Sequence, residues 1–507
     1  MRRYLKDRLD SWGVNKSISA TSRTKPAAGQ QAGADRPGST EFGGLRAALS
    51  LPDATAIVAG GMIGSGIFIV SADIVRHVGS PAALLAVWIV SGLMTIAGAL
   101  AYGELAAMMP QAGGQYIYLR EAYGGLWAFV YGWTLLLVIQ TGTIAAVAVA
   151  FGRFGGVLWP ALGSHLWFGI GGMGLSGERL AAIAVIALLT LANLRGLNLG
   201  RLVQNSFTTA KLLSLLLIVV LGCIIAPNAA ARIANFGSHT AFFGSQPWSI
   251  AFAATFGAAM VGGLFSADAW ATVTFTASEV RNPRRDVPLS LAIGTGIVIL
   301  LYCLTNVAYL FELPSHAIAS ASGDRVAAAA MRMIWGHPGA ALTALLVMVS
   351  TFGCANGLIL TGARVVYAMA HDGVFFPGAG RLNRAKVPGI ALVMQGGWAA
   401  LLALSGTYSE LLDYVIFAQL GFYVLTVSAV FVMRRTHPDT PRPYRAWGYP
   451  LLPAAYIAAA LALMADLLIV KPGYTWPGLL IALSGVPIYA LTSRRRPPAM
   501  PSAPSQA

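Results

Sequence analysis

The sequence predicts an all-α membrane protein, a bundle of twelve spans with two helices broken in mid-membrane. Three observations predict it. The chain of 507 residues is 56% hydrophobic and only 10% charged, whereas a soluble domain is about 25% charged. Apolar windows long enough to cross a bilayer recur along it. Two of those windows carry residues at their centres that disfavour a helix.

In order along the chain, residues 1–46 come first. "MRRYLKDRLDSW" is charged, and "SISATSRTKPAAGQQAGADRPGST" is rich in Ser, Ala, Gly and Pro. Such a composition buries too little apolar surface to fold. No apolar stretch follows the basic start before residue 47, so a signal peptide is not expected. The segment reads as a disordered cytoplasmic tail. Spans are then expected at about 50–78, 81–109, 123–152, 180–198, 203–226, 250–277, 288–311, 339–370, 388–405, 410–433, 449–470 and 476–493. They form one membrane domain over 47–495, and 496–507 is a second cytoplasmic tail.

The basic residues test this arrangement. With the N-terminus inside, the cytoplasmic segments collect 25 Lys and Arg, nine of them in the first tail, against seven on the other side. The seven are Arg76, Arg153, Arg179, Arg232, Arg325, Arg332 and Lys471. Both termini are therefore placed in the cytoplasm. The same asymmetry accounts for the net charge of +15 without nucleic acid. Six Lys against 28 Arg, with heavy use of Ala and Gly, point to a high-GC bacterium and its inner membrane. Cys223, Cys303 and Cys354 all fall inside spans, and the His residues are scattered. Neither a disulfide framework, a metal site nor a cofactor is expected.

The first interrupted window is "GGMIGSGIFIV" at 60–70, with four glycines and a serine between Gly60 and Gly66. The second is "MVGGLFSADAWATVTFTASEVRNPRRDVP" at 260–288, where Asp268 lies at a depth costly for an acid. They are spans 1 and 6. Interruptions at matching positions in two halves are the best sequence pointer to a transporter binding site. A break at "GSG" leaves N–H groups at the start of the second half-helix, which suit an anion. The first half-helix ends in unpaired carbonyls, which suit an ammonium. One break thus offers both poles of an amino acid zwitterion, and glycine lets the ligand approach the backbone. The other account of Gly60, Gly61, Gly64 and Gly66 is close packing between helices.

At these residues the chain resembles the amino acid–polyamine–organocation superfamily, and within it the L-type amino acid transporters and bacterial amino acid permeases. "GGMIGSGIF" resembles the helix 1 signature, and "AYGELAAMMPQAGGQYIYLREAYG" (101–124) the end of helix 2 and its loop. "QNSFTTAKLLSLLLIV" resembles helix 5, "FSADAW" with "SEVRNPRRDVP" helix 6, and "FGCANGLILTGARVVYAMAHDGVFFP" (352–377) helix 8. Five motifs in the family's order make the resemblance specific over about 47–445. It implies a LeuT-type fold: two inverted five-helix repeats at about 50–226 and 250–433, with two further helices at about 449–493. It implies amino acid transport by alternating access, and no chemistry.

Carried over by position, the resemblance places a substrate carboxylate on the N–H groups of Ser65 and Gly66, beside Gly64. The ammonium would meet the carbonyls of Met62, Phe265 and Asp268. Phe265 stands where relatives carry an aromatic gate, and Trp270 matches a family tryptophan. Many L-type members have Tyr-Gly-Gly where this chain has Ala267, Asp268 and Ala269, so a wider pocket is expected at Ala267. An acid at the middle position also occurs in bacterial relatives. Eukaryotic members pair covalently with a single-span heavy chain through a cysteine between helices 3 and 4. The corresponding loop, about 153–179, has no Cys, so no disulfide-linked heavy chain is expected.

Lys211 of span 5 lies ten residues beyond Arg201, about 15 Å into the membrane at 1.5 Å per residue. A bare ammonium at that depth needs fixed partners, and the carbonyls freed by the break in span 1 are the natural ones. The resemblance implies that such a lysine replaces a structural sodium ion, hence sodium independence. Bracing span 5 against span 1 is its plainer role. Gln140, Asn356 and Gln419 are polar groups inside spans that either line the pocket or join helices. Glu104 and Glu279 are expected to pair with arginines such as Arg281 or to act in an inner gate; Arg364 wants a partner that the sequence does not name. Trp88, Trp127, Trp133, Trp248, Trp335 and Trp476 read mostly as interface anchors.

An amino acid permease is the function these residues favour, working by sodium-independent exchange or proton-coupled uptake. A polyamine or cationic amino acid antiporter of the same superfamily is the alternative. A channel would need charge rings or a symmetric carbonyl filter, and an enzyme a buried nucleophile–base pair. The spans supply neither.

Overall fold

The computed structural model describes residues 49–493 except 112, 164, 171–172, 197, 226, 246–248 and 406–407. Both expected tails and Trp248 lie outside the described residues, as do the side chains of 198–206. In chain order the main elements are α1 (Leu51–Met62), α2 (Gly66–Val78), α3 (Pro81–Met108), α4 (Gln115–Tyr123), α5 (Gly125–Leu158), a hairpin of β1 (Leu166–Ile170) and β2 (Met173–Ser176), and α6 (Gly177–Leu194). There follow α7 (Asn198–Val220), α8 (Ala229–Phe236), α9 (Ile250–Ser266), α10 (Thr272–Phe275), α11 (Pro283–Glu312), α12 (Val326–His371), α13 (Gly389–Ser405), α14 (Tyr408–Thr436), α15 (Leu451–Val470) and α16 (Pro472–Ser493).

Among the described residues nine helical segments are long and apolar enough to cross a bilayer. Three shorter apolar helices, Ile250–Ser266, Gly389–Ser405 and Thr475–Leu491, fall where spans 6, 9 and 12 are expected. The protein is thus a multi-pass membrane protein. Helix is the form in which a span satisfies every backbone group without water. α1 opens on Ser50, whose N–H donates to Asp53 Oδ2 at 2.9 Å, and Pro52 sits in the first turn, where a missing N–H costs nothing.

Packing brings the interruptions to the centre. α11 lies along α3 and α1, α12 along α5 and α7, and α2 along α9. The second half of span 1 therefore rests on the first half of span 6. α5 contains a π-helical turn at Leu135–Ile139, immediately before Gln140.

Some elements differ from expectation. Span 4 begins at Gly177 and ends at Leu194, displaced toward the N-terminus, because Ser176 accepts from Arg179 N–H at 3.3 Å and caps it there. Span 8 starts well before 339 and bends at Trp335–Gly336, where Gly336 has φ +63°. Beyond its break, span 6 continues as one turn, Thr272–Phe275, and a short 3₁₀ turn, not as a long half-helix. Trp88 is 1% exposed, edge-on to Tyr302 with ring centroids 5.4 Å apart, so it is a core residue and not an interface anchor.

Candidate functional site

The break in span 1 covers three residues. Ile63 leaves the helix at ψ +85°, and Gly64 N–H turns back onto Met62 O at 2.8 Å. The carbonyls at and just beyond the end of α1 are met by side chains from other spans. Lys211 Nζ donates to Gly60 O at 2.8 Å, Cys354 Sγ to Gly61 O at 3.3 Å, Tyr302 Oη to Met62 O at 2.9 Å and Ser350 Oγ to Gly64 O at 3.2 Å. A buried carbonyl left alone would cost about 1–3 kcal/mol, which is why polar groups from α7, α11 and α12 converge here. On the other side of the break, the N–H groups of Ser65, Gly66 and Ile67 have no acceptor among the described residues. They are the orphan donors of α2 at the positive end of its dipole. Ser65 itself is fully buried, and its Oγ lies 2.8 Å from Tyr408 Oη.

The break in span 6 is made without glycine. Asp268 N–H bonds Phe265 O at 3.1 Å, and Ala269 takes φ +65°, a left-handed conformation that a Cβ disfavours. Asp268 Oδ1 accepts from Tyr423 Oη at 2.6 Å. The Tyr423 ring stacks on Trp270 at 5.0 Å, and Tyr102 meets both edge-on. The Asp268 carbonyl has no donor among the described residues.

The two breaks touch. Tyr302 Oη lies 2.9 Å from Met62 O and 3.1 Å from Ser266 O, so one hydroxyl reaches the ends of both first halves. A Cβ on Gly66 would come within 2.8 Å of Ser266 Cα, one on Gly61 within 3.2 Å of Ala269 O, and one on Gly64 within 3.2 Å of Cys354 Sγ. Close packing thus requires glycine at 66 and leaves little room for a side chain at 61 and 64, independently of any ligand.

The other expected residues divide. Gln140 Nε2 donates to Leu358 O at 2.7 Å, joining α5 to α12, and Gln140 also lines a small cavity beside the span 6 break. Gln419 lines that cavity and a second one, and its buried Oε1 has no partner among the described residues. Asn356 turns to α6 instead: its Oδ1 accepts from Asn193 Nδ2 at 2.9 Å, and it lines neither cavity. Ala267 is 1% exposed and Phe265 packs on the Tyr408 ring at 6.2 Å; neither lines the cavities. Asp268 and Tyr423 form part of both walls. Each cavity has a volume of about 20 Å³, room for a water but not an amino acid. The helices around the breaks must part to admit one.

Arg364, unpartnered in the sequence, donates through Nε to Glu279 Oε1 at 2.8 Å. Glu279 therefore pairs with Arg364 and not with Arg281. Glu104 takes Arg434 at 2.7 Å and Arg442 at 3.4 Å, together with Ala446 N–H at 2.7 Å. Leu49 N–H donates to Glu279 O at 2.8 Å and Leu49 O accepts from Arg281 N–H at 2.9 Å, tying the chain ahead of α1 to the exit of span 6.

Tyr302, Tyr408 and Tyr423 are not among the residues expected at the breaks. A signal existed: each is a tyrosine inside an apolar span, whose hydroxyl must find a partner. Nothing in the sequence says which partner.

The profile of the amino acid permease family matches residues 49–487. The chain belongs to this family. As a permease of the amino acid–polyamine–organocation superfamily it is a transporter and not an enzyme. It is 30% identical over 468 residues to the serine/threonine exchanger SteT of Bacillus subtilis (strain 168), covering 90% of this chain and 99% of that protein. It is 30% identical over 457 residues to the human b(0,+)-type amino acid transporter 1, covering 88% of each. It is 31% identical over 480 residues to the human large neutral amino acids transporter small subunit 2, covering 93% and 85%.

Proposed function

We propose that this permease exchanges L-amino acids across the plasma membrane, the inner membrane of a bacterium, by alternating access and without sodium. One observation carries the proposal. Among the described residues the span 1 break leaves three N–H groups without acceptors, and the span 6 break leaves the Asp268 carbonyl without a donor. Donors suit a carboxylate and an acceptor suits an ammonium, so backbone alone accommodates both α-groups. Met62 O already accepts from Gly64 N–H and Tyr302 Oη, so the ammonium falls to the Asp268 carbonyl. Lys211 supplies a fixed cation on Gly60 O, the place where the resemblance puts a sodium ion. The touching breaks and the packing of α2 on α9 favour two inverted repeats in the LeuT-type arrangement, and the excess of basic residues in the expected cytoplasmic segments favours twelve spans with both termini cytoplasmic. The relatives named as exchangers and transporters of amino acids support the same substrate class.

Counterflow in proteoliposomes tests this. α-Amino acids compete with the labelled substrate, whereas their methyl esters and decarboxylated amines do not, and choline replaces sodium without effect. Putrescine or agmatine competing as well as the parent amino acid would establish the polyamine antiporter instead. Uptake into empty vesicles driven by a proton gradient would replace exchange with symport.

A further inference from the structure

At one end of the bundle, where α12 runs by way of a loop into α13, lies a cavity that the transport site does not use. Leu360, Val387, Pro388 and Leu392 give it apolar walls, and Lys386 stands at its edge. The loop is built to a shape. Asn383 Oδ1 accepts from Ala385 N–H at 2.9 Å and Val387 N–H at 3.2 Å, while Nδ2 donates to Leu194 O at the end of α6 at 2.8 Å. Lys386 is held at φ +56°.

The charges on this loop are unpaired. Arg381, Arg384 and Lys386 are exposed, and their side chains have no carboxylate or hydrogen-bond partner among the described residues. Arg195, beside the Gly196 that approaches Ala385, is exposed and unpaired as well. By contrast Arg76, Arg120, Arg153, Arg364 and Arg434 all have carboxylates within 3.5 Å. Next to the loop α13 presents Ile390 and Val393 outward, 48% and 54% exposed, as a lipid-facing surface does. A largely apolar slot next to an outward apolar helix face, with unpaired Lys386 in its lining and unpaired Arg381 and Arg384 on the same loop, matches one kind of amphiphile: acyl chain below, phosphate above.

We propose that this cavity seats an anionic phospholipid, its phosphate on Lys386, Arg381 and Arg384 and part of an acyl chain against Val387 and Leu392. The seat has a route to transport. Arg364 lines the same cavity and holds Glu279 at 2.8 Å, and Glu279 O receives Leu49 N–H from the chain ahead of α1 at 2.8 Å. A bound lipid would therefore bias the tie between the two broken helices; that part rests on the proposed transport function, whereas binding does not.

Native mass spectrometry of the purified full chain tests binding. Phosphatidylglycerol should be retained about fivefold or more over phosphatidylcholine, since each basic residue at a surface is worth about 1 kcal/mol to an anionic lipid. Arg381→Gln/Arg384→Gln/Lys386→Gln should abolish that preference. Arg381→Lys/Arg384→Lys should keep it, and so should Arg284→Gln/Arg285→Gln in another basic segment. Loss of the preference in the Arg284/Arg285 variant would reduce the effect to overall charge and overturn the seat. Displacement by millimolar inorganic phosphate would show an anion site without an acyl requirement, and would overturn it too. In phosphatidylcholine vesicles, added phosphatidylglycerol should raise exchange by wild type but not by the Gln triple variant. Equal stimulation of both would refute the link to transport. Retention of lipid by a protein that exchanges no amino acid in either membrane would leave the seat intact and refute the transport proposal.

Discussion

The two broken helices solve one problem in opposite ways. Span 1 breaks on glycines, and its exposed carbonyls are closed by side chains lent from three other helices, Lys211, Tyr302, Ser350 and Cys354. Span 6 breaks without glycine, strains Ala269 into a left-handed conformation, and supplies its own carboxylate, which Tyr423 holds. The first break is supported by side chains from other helices, and the second sits within an aromatic cluster. The difference shows that a matched pair of interruptions need not be matched in chemistry: span 1 leaves unpaired backbone donors, and span 6 an unpaired carbonyl beside a buried carboxylate, among the described residues.

The largest effect that would break this contrast is at the contact between the breaks. Gly66→Leu should abolish transport and also lower expression, because its Cβ would already press on Ser266 Cα; overpacking of this kind costs about 1–3 kcal/mol, occasionally more. A well-folded, active Gly66→Leu would show that the helices do not touch here. Lys211→Ala comes next. It strands the Gly60 carbonyl and should cut uptake more than about tenfold, the equivalent of about 1.4 kcal/mol, within the usual cost of an unmet buried acceptor. Full activity in that variant would make Lys211 a brace and no more. Asp268→Asn should change substrate preference little, because the carboxylate bonds Tyr423. A competition panel that moves from Lys or Arg toward neutral amino acids would instead put the acid against the substrate. The smallest effect is Ala269→Gly. It removes left-handed strain of about 1–2 kcal/mol but adds chain entropy of about 0.5–1 kcal/mol, so the melting midpoint should rise slightly. A clear fall would mean that the Ala269 methyl packs usefully.

Spans were legible because apolar length is a one-dimensional property. The first break was legible from Gly60 to Gly66, and the second from one acid in an apolar run. Even Lys211 on a carbonyl of span 1 followed from depth, since an ammonium in mid-membrane has few places to go. The partners of other polar groups did not follow. Asn356 served helix joining through Asn193, Glu279 took Arg364, and Glu104 took Arg434 from 330 residues away. Pairing at such separation depends on which helix faces lie together.

By itself the sequence determined that this chain is a membrane bundle with two broken helices, because hydropathy and glycine content act locally, before any helix meets another. The tertiary structure alone decided how the breaks are closed. Tyr302 reaches two carbonyls, Tyr408 covers Ser65 and Tyr423 takes Asp268, since in a medium without water a polar group bonds whatever neighbour packing brings within about 3 Å.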